Sequence, residues 1–319
     1  MHSAGQRIRG VLAPVVTPFK PDLLPDSERF IEHCRWLVSQ NCGLAPFGTT
    51  SEANSMSAKE RMTLLDALFA AGIDPLRMMP GTGCCSLPET VELTADAVKH
   101  GCAGVLMLPP FYYKNVNEEG LYRYFSEVVQ RIGDHRLRVY LYHIPTVAIV
   151  GITPNLVRRL RKAFPNAIDG MKDSSGDWNN TKTFLRAFAR HGFDIFVGSE
   201  SFLLANLREG GRGTISATAN VNPAAIYELY TRWNTTDDTG YADRQQSELS
   251  LLRDVLAGKS WPSMIAAIKQ AIAIYRNDPE WIRVRPPLVD LTTKQARLLA
   301  EQLTEISFAM PGLGTSDRV

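Results

Sequence analysis

The sequence predicts an α/β protein of the (β/α)8 or TIM barrel class, because short apolar runs alternate with segments of helical spacing. Near-continuous apolar runs are typical of strands buried on both faces of a parallel sheet. The alternative is a doubly wound open sheet, which usually has fewer strands and a glycine-rich first turn, whereas Thr17-Pro18-Phe19 follows the first run here. The eight runs are 11–16, 43–47, 77–80, 103–108, 138–142, 167–172, 194–197 and 213–216.

The segments between the runs have the apolar spacing of amphipathic helices. In the first of them, Phe30, Cys34 and Leu37 fall on one helical face. Helix starts are marked by capping boxes, in which a hydroxyl and a carboxylate or amide satisfy reciprocal backbone donors. The predicted caps are Ser57 with Glu60, Ser86 with Glu89, Thr292 with Gln295, and the pairs Thr153-Pro154 and Asn222-Pro223.

The alternation stops near residue 236, where the remaining chain becomes helical. Residues 245–257, 263–275 and 292–306 have helical spacing, with prolines between them. We therefore expect a catalytic barrel over residues 1–236 and a three-helix extension over 237–310 that packs on it. Residues 311–319 are expected to form a flexible tail.

Composition favours a soluble cytoplasmic protein without a nucleic-acid or membrane partner. The 319 residues are 45% hydrophobic and 21% charged, with a net charge of +2 and basic residues spread along the chain. An odd count of five cysteines without a Cys-x-x-Cys spacing indicates reduced thiols. No run approaches the roughly 18 apolar residues of a membrane helix.

Active-site residues of such barrels lie where strands end and the following loops begin. Lys172 closes the sixth run and precedes the polar turn 173–176. Taken alone, it could reach solvent or pair with Asp173. If it is buried instead, a neutral amine at this position could attack a carbonyl and form an imine.

Other strand ends carry groups that suit the same chemistry. The turn after the second run, 48–52, offers backbone and hydroxyl donors for a carboxylate, although an ordinary helix-capping turn would look the same. Tyr142 ends the fifth run and could relay protons, or its ring could simply fill the barrel. His143, next along the strand, should face outward. The six histidines are scattered, so the sequence predicts no metal site.

Together these motifs resemble the dihydrodipicolinate synthase / N-acetylneuraminate lyase family, over roughly residues 9–303. The resemblance implies a (β/α)8 barrel, a homotetramer built as a dimer of dimers, and no metal or organic cofactor. It also implies an imine between a lysine and pyruvate or another 2-oxo acid. The matching motifs are Gly48-Thr49-Thr50-x-Glu52, Tyr142-x-x-Pro145, Gly170-x-Lys172, and Gly198 with Ile215.

The family's residue roles transfer by position. The resemblance implies that Lys172 forms the imine, that Tyr142 relays protons, and that Thr49 joins this relay. The remaining matches are a tyrosine lent to a neighbouring subunit's site, Tyr112 or less closely Tyr113, and the substrate-binding positions Thr50, Gly48, Ile215 and Gly198.

The sequence departs from the family at three positions. Ser51 stands where many members have glycine, and His143 replaces the usual asparagine. Val147 stands where synthases carry an arginine for the second substrate's carboxylate, and valine cannot make that bidentate contact. The second substrate therefore lacks a carboxylate at that place, or another residue holds it.

The sequence thus predicts a lyase or aldolase that adds pyruvate to an aldehyde-type partner or cleaves pyruvate from it. One alternative is a dehydratase or hydratase-aldolase acting on a 2-oxo-3-deoxy sugar acid or an aromatic pyruvate. A genuine 4-hydroxy-tetrahydrodipicolinate synthase is another. A binding or regulatory protein on a retained barrel is the third, which the complete set Lys172, Tyr142, Thr49 and Thr50 argues against.

Overall fold

The computed structural model describes residues 7–235 and 238–313, and it shows an α/β protein. Its strands are β1 (Gly10–Ala13), β2 (Gly43–Leu44), β3 (Val105–Met107), β4 (Val139–His143), β5 (Ile168–Asp173), β6 (Asp194–Val197) and β7 (Gly213–Ile215). Its α-helices are α1 (Ser27–Ser39), α2 (Ala58–Ala70), α3 (Leu87–Lys99), α4 (Glu118–Ile132), α5 (Pro145–Ala148), α6 (Pro154–Ala163), α7 (Trp178–Phe188), α8 (Leu203–Arg208), α9 (Pro223–Arg232), α10 (Tyr241–Leu256), α11 (Met264–Arg276) and α12 (Thr293–Glu305).

The chain divides into two compact units. Among the described residues, the first comprises those from Arg7 to Gly10 together with Gly72–Ile215. The second comprises Val11–Ala71 together with the described residues from Ser216 onward. The predicted boundaries at 236 and 310 remain predictions, and most of the predicted tail, residues 314–319, lies outside the described residues.

The first unit is a parallel sheet in which β3, β4, β5, β6 and β7 are neighbours in that order. Helices connect the strands, and α3 packs on α4, α4 on α6, and α6 on α7. Short apolar strands predicted from the sequence therefore pair as expected. Their parallel order brings the carboxyl ends of β4 to β7 to the same edge of the sheet.

One predicted strand is reduced to a single bridge. Residues 77–80 do not form a strand; instead Gly81 makes an isolated parallel bridge to Leu106. The Leu106 N–H donates to the Pro80 carbonyl at 2.9 Å, and the Thr82 N–H donates to the Leu106 carbonyl at 3.0 Å. Pro80 has no N–H to continue the ladder, which explains why the expected strand is absent from this part of the described chain.

A buried tyrosine fills the interior of this unit against a glycine. Tyr140 on β4 is fully buried. A Cβ added to Gly170 on β5 would lie 2.6 Å from the Tyr140 ring and 2.4 Å from the Asp194 carbonyl oxygen. Only glycine therefore leaves room for the ring. Because side chains alternate along a strand, Tyr142 and Lys172 lie on the same face, one step nearer the strand ends.

The second unit contains the parallel pair β1–β2 and the three predicted C-terminal helices. Helices α10, α11 and α12 form most of its core. The loop after α11 and loop residues that follow strands of the same unit complete it. The buried side chains of this core include Val16, Val221, Leu252, Leu256, Ile268, Ile272, Trp281, Leu299 and Leu303. The three C-terminal segments are thus helical, as predicted, and they share an apolar core. No helix among the described residues is long and apolar enough to cross a bilayer.

Most predicted caps are present. Full capping boxes form at Ser57 with Glu60 and at Thr292 with Gln295, and the side chains of Ser86 and Thr153 accept from the backbone of the first helical turn. Asn222 is the exception. Pro223 begins α9 as expected, but the Asn222 side chain makes no cap hydrogen bond to the described backbone.

We expect Gly170→Ala to destabilise the protein by about 1–3 kcal/mol, because the added methyl group collides with the Tyr140 ring and a backbone carbonyl. Urea unfolding should show the loss. Gly48→Ala is the matched control, since a Cβ there meets nothing within 4 Å. Equal stability of the two variants would contradict this account of Gly170.

Candidate active site

A buried lysine and a tyrosine contact each other at the ends of β4 and β5. The register pairs Tyr142 with Lys172 across the two strands. Lys172 is 3% exposed, and its Nζ donates to the Tyr142 hydroxyl at 3.3 Å. The same Nζ lies 4.3 Å from the centroid of the Tyr142 ring. The amine is therefore withdrawn from solvent and held beside a group that can accept or donate a proton.

Asp173 follows Lys172 in the chain, and its carboxylate lies on the opposite face of the sheet. Asp173 accepts from the Ser175 N–H at 2.8 Å, from Asn180 Nδ2 at 3.0 Å and from Thr181 Oγ1 at 2.6 Å. The alternative that Lys172 reaches solvent or pairs with Asp173 is therefore wrong. Asp173 instead holds the loop after β5 onto α7. The Asp-x-Ser spacing, typical of an Asx turn, is the sequence signal for this role.

Gly198 and Ile215 lie at the neighbouring strand ends of the same unit. The Gly198 N–H donates to the Asp173 carbonyl at 2.7 Å. A Cβ at Gly198 would lie 1.9 Å from Ser174 Oγ, so this position requires glycine for close approach. Ile215 ends β7 and is fully buried. Both positions are therefore apolar and closely packed, as residues that line a small pocket would be.

His143 faces outward, as expected, and holds the end of the loop that follows β4. Its Nδ1 accepts from the Ile152 N–H at 2.9 Å, and its ring lies 6.1 Å from the Phe184 ring on α7. Burial lowers the pKa of His143, and the nearby Asp173 only partly opposes this effect. Because Nδ1 accepts this hydrogen bond, the neutral form of the imidazole carries its proton on Nε2.

The loops that carry Tyr112 and Val147 are exposed. Tyr112 is 74% exposed and stacks edge-on with Tyr113, with ring centroids 5.3 Å apart. Val147 is 59% exposed on α5. Neither side chain joins the buried Lys172–Tyr142 pair within this chain.

Sequence reasoning missed Lys114, which links these two loops. Its Nζ donates to the Phe111 carbonyl at 2.5 Å and to the Ala148 carbonyl at 3.3 Å. An ammonium group therefore lies beside the turn that contains Val147. The sequence signal for Lys114 is weak, because it consists only of one basic residue directly after three aromatic residues.

The predicted carboxylate-binding turn belongs to the second unit. The Glu52 N–H donates to the Thr49 carbonyl at 3.0 Å, and the Ala53 N–H donates to the Gly48 carbonyl at 3.2 Å. Gly48 is buried, while Thr49 and Thr50 are half-buried. The turn thus leaves both threonines partly accessible.

A second buried lysine, also missed from the sequence, lies beneath this turn. Lys269 on α11 is fully buried and pairs with Glu52. Burial lowers the pKa of Lys269 to about 8, although the Glu52 carboxylate raises it in part. The signal was available, because Lys269 is the one charged residue within the apolar stretch 264–275.

The sequence model of the dihydrodipicolinate synthetase family matches residues 7–306. With the parallel α/β fold, this match defines a lyase of the α/β-barrel class, and the predicted enzyme class is confirmed. The chain belongs to the dihydrodipicolinate synthetase family.

Similar proteins support the same assignment. A protein described as an uncharacterized DapA-like lyase of Chloroflexus aurantiacus is 31% identical over 293 residues, covering 91% of this chain and 94% of that protein. The crystal structure of dihydrodipicolinate synthase from Agrobacterium tumefaciens matches with a TM-score of 0.83 and 31% identity, over 94% of this chain and 100% of that one. YagE, a family member from E. coli K12 solved in complex with pyruvate, matches with a TM-score of 0.85 and 26% identity, over 94% and 98% of the two chains. The predicted fold class is therefore confirmed.

We expect His143→Asn to reduce the acid sensitivity of folding. Since burial lowers the pKa of His143 in the folded protein, the unfolded chain binds a proton first as pH falls below about 6.5, and stability is lost in that range. The wild type should lose up to about 1 kcal/mol more than the variant between pH 6.5 and 5.5. Urea unfolding at several pH values measures this difference, and parallel curves for the two proteins would refute the expectation.

Proposed function

We propose that this protein forms an imine between Lys172 and pyruvate and uses it to make or break a carbon–carbon bond with an aldehyde-type partner. The observation that carries the proposal is the buried Lys172 amine, 3.3 Å from the Tyr142 hydroxyl at the ends of adjacent strands. Membership of a lyase family and the pyruvate bound to the related YagE support it.

The chemistry follows from a buried amine beside a phenol. The Lys172 amine attacks the 2-oxo carbon of pyruvate, and the resulting carbinolamine loses water to give a protonated imine. This imine withdraws electrons, so a proton leaves C3 and an enamine forms. The enamine carbon then attacks the aldehyde carbon, and the reverse sequence cleaves the same bond. Tyr142 is the proposed group that carries protons to and from the carbinolamine.

The substrate carboxylate needs hydrogen-bond donors that hold it beside the imine. We assign this role to Thr49 and Thr50 in the turn that begins at Gly48, because hydroxyl and backbone donors suit a carboxylate. Gly198 and Ile215 are the proposed lining near the imine. The reaction needs no metal or organic cofactor, since the imine itself withdraws the electrons.

The exposed aromatic residues support an oligomer. Tyr112 and Tyr113 are 74% and 73% exposed, and adjacent exposed aromatic rings are typical of interaction surfaces. We propose that Tyr112 contributes to the site of a second copy within a homotetramer arranged as a dimer of dimers. The five cysteines all lie outside disulfide bonds, which fits a cytoplasmic location.

A second candidate is a dehydratase or hydratase-aldolase acting on a 2-oxo-3-deoxy sugar acid or an aromatic pyruvate. It is favoured by Val147, at the position where the resemblance implies an arginine in synthases, and by the nearby Ile149. The two apolar side chains are 59% and 60% exposed. Lys114 instead favours a 4-hydroxy-tetrahydrodipicolinate synthase. Its ammonium group lies beside the turn that contains Val147, where it replaces the arginine as a partner for the carboxylate of the second substrate. A substrate panel separates these reactions: release of a free aldehyde means cleavage, and a product lighter by one water means dehydration.

Borohydride reduction in the presence of pyruvate should attach the reduced pyruvate adduct to Lys172, because borohydride traps an imine as a stable amine. Mass spectrometry of peptides locates the adduct. Lys172→Met should abolish it, while Lys162→Met, at an exposed lysine of α6, should retain it. An unmodified Lys172 at saturating pyruvate would sink the proposal.

Tyr142→Phe should lower kcat by about 10²- to 10⁴-fold, because the variant keeps the ring but loses the proton relay. The adduct on Lys172 should still form, more slowly. Tyr124→Phe is the control, since the Tyr124 hydroxyl donates to the Cys84 carbonyl in the loop before α3. A Tyr142→Phe enzyme with wild-type kcat would remove Tyr142 from the mechanism.

A further inference from the structure

A buried ion pair holds one end of the turn Gly48–Glu52. The side chains of Glu52 and Lys269 are both fully buried, and the Lys269 ammonium donates to Glu52 Oε1. Lys269 also donates to the Arg283 carbonyl at 2.7 Å. The second oxygen, Glu52 Oε2, accepts from the Arg285 N–H at 2.7 Å. The last residue of the turn is thus fixed to α11 and to the loop after it.

This pair is not needed to fill the core. Replacing a buried ion pair by apolar side chains of similar volume is often neutral or stabilising, whereas its hydrogen bonds define one geometry. That geometry matters at Glu52, because its backbone adopts the left-handed conformation, with φ 57° and ψ 33°. A non-glycine residue stays in this conformation when its surroundings hold it there.

A second anchor holds the neighbouring residue. The Thr17 hydroxyl is buried and donates to the Ser51 carbonyl at 2.7 Å. Together with the hydrogen bond from the Glu52 N–H to the Thr49 carbonyl, this contact closes the turn. Ser51 and Glu52 are therefore fixed in the interior while Thr49 and Thr50 remain half-buried.

The ion pair also controls charge at the turn. The Glu52 carboxylate follows Thr50 by two residues, so an unpaired negative charge there would repel an anionic substrate. Lys269 neutralises this charge without adding a net positive one. Arg285 lies further out, where its guanidinium donates to Glu60 at 2.8 Å and to the Ser55 carbonyl at 2.7 Å.

We propose that Glu52 and Lys269 are positioning residues that hold the Thr49–Thr50 turn in the conformation that binds the substrate carboxylate. The inference rests on the proposed function, because it assigns a cause to carboxylate binding at that turn. It concerns neither the imine nor the proton relay.

The test compares pyruvate with methyl pyruvate, which has the same ketone but no carboxylate charge. Borohydride trapping on Lys172 gives the half-saturating concentration of each ligand for wild type, Glu52→Gln and Lys269→Gln. We expect both variants to need about tenfold more pyruvate, the effect of losing one charge-assisted hydrogen bond, and Lys269→Gln to show the larger change. The values for methyl pyruvate should stay within about twofold, because this ligand makes no charged contact with the turn.

Glu60→Gln is the matched control. It weakens an ion pair of Arg285 but leaves Glu52 and Lys269 in contact, so both ligands should behave as in the wild type. The double variant Glu52→Gln/Lys269→Gln carries no buried charge and keeps two complementary amides. Its ratio of half-saturating pyruvate to methyl pyruvate should exceed the wild-type ratio, and an unchanged ratio would overturn the positioning role. This comparison keeps the test decisive if a single variant does not fold.

The outcomes are distinct. Equal losses for pyruvate and methyl pyruvate in the variants would mean general disruption and would overturn the positioning role. Unchanged capture of pyruvate by either variant would overturn it as well. A wild-type protein that forms no adduct with either ligand would instead refute the Lys172 imine, and the inference would fail with the proposed function.

Discussion

The burial of the Lys172 amine against the Tyr142 hydroxyl is the constraint on which the rest of the site depends. Register between β4 and β5 brings the two residues opposite each other. Two residues earlier on the same strands, the Tyr140 ring packs against Gly170 and fills the interior next to this pair. An amine placed here is shielded from water and stays in contact with the Tyr142 hydroxyl.

Two lysines are buried in the part of the chain that the structure describes, and their surroundings differ. Lys269 is paired with a carboxylate, so its charge is compensated within the second unit. Lys172 contacts a phenol, and the adjacent Asp173 directs its oxygens to a backbone N–H and to side chains of α7. An amine that contacts a hydroxyl rather than a carboxylate suits the proposed imine formation, whereas one paired with a carboxylate suits a fixed contact.

Local signals explain where prediction from the sequence succeeded and where it did not. Apolar runs and hydroxyl caps depend on neighbouring residues, so β4, β5 and the capping boxes at Ser57 and Thr292 were recognisable. The run 77–80 was wrongly predicted as a strand, because ladder formation depends on the N–H that Pro80 lacks. The outward position of His143 followed from alternation along the strand. The Glu52–Lys269 contact joins residues 217 positions apart, and no local pattern specifies it.

The sequence by itself determined the parallel α/β class, the family and the lysine at a strand end. These depend on periodicity and on motifs of a few adjacent residues. Only the tertiary structure decided that Lys172 is buried against Tyr142 rather than paired with Asp173, and that Lys269 neutralises Glu52. The physical reason is that the environment of a charged group is set by side chains brought together from distant strands and helices.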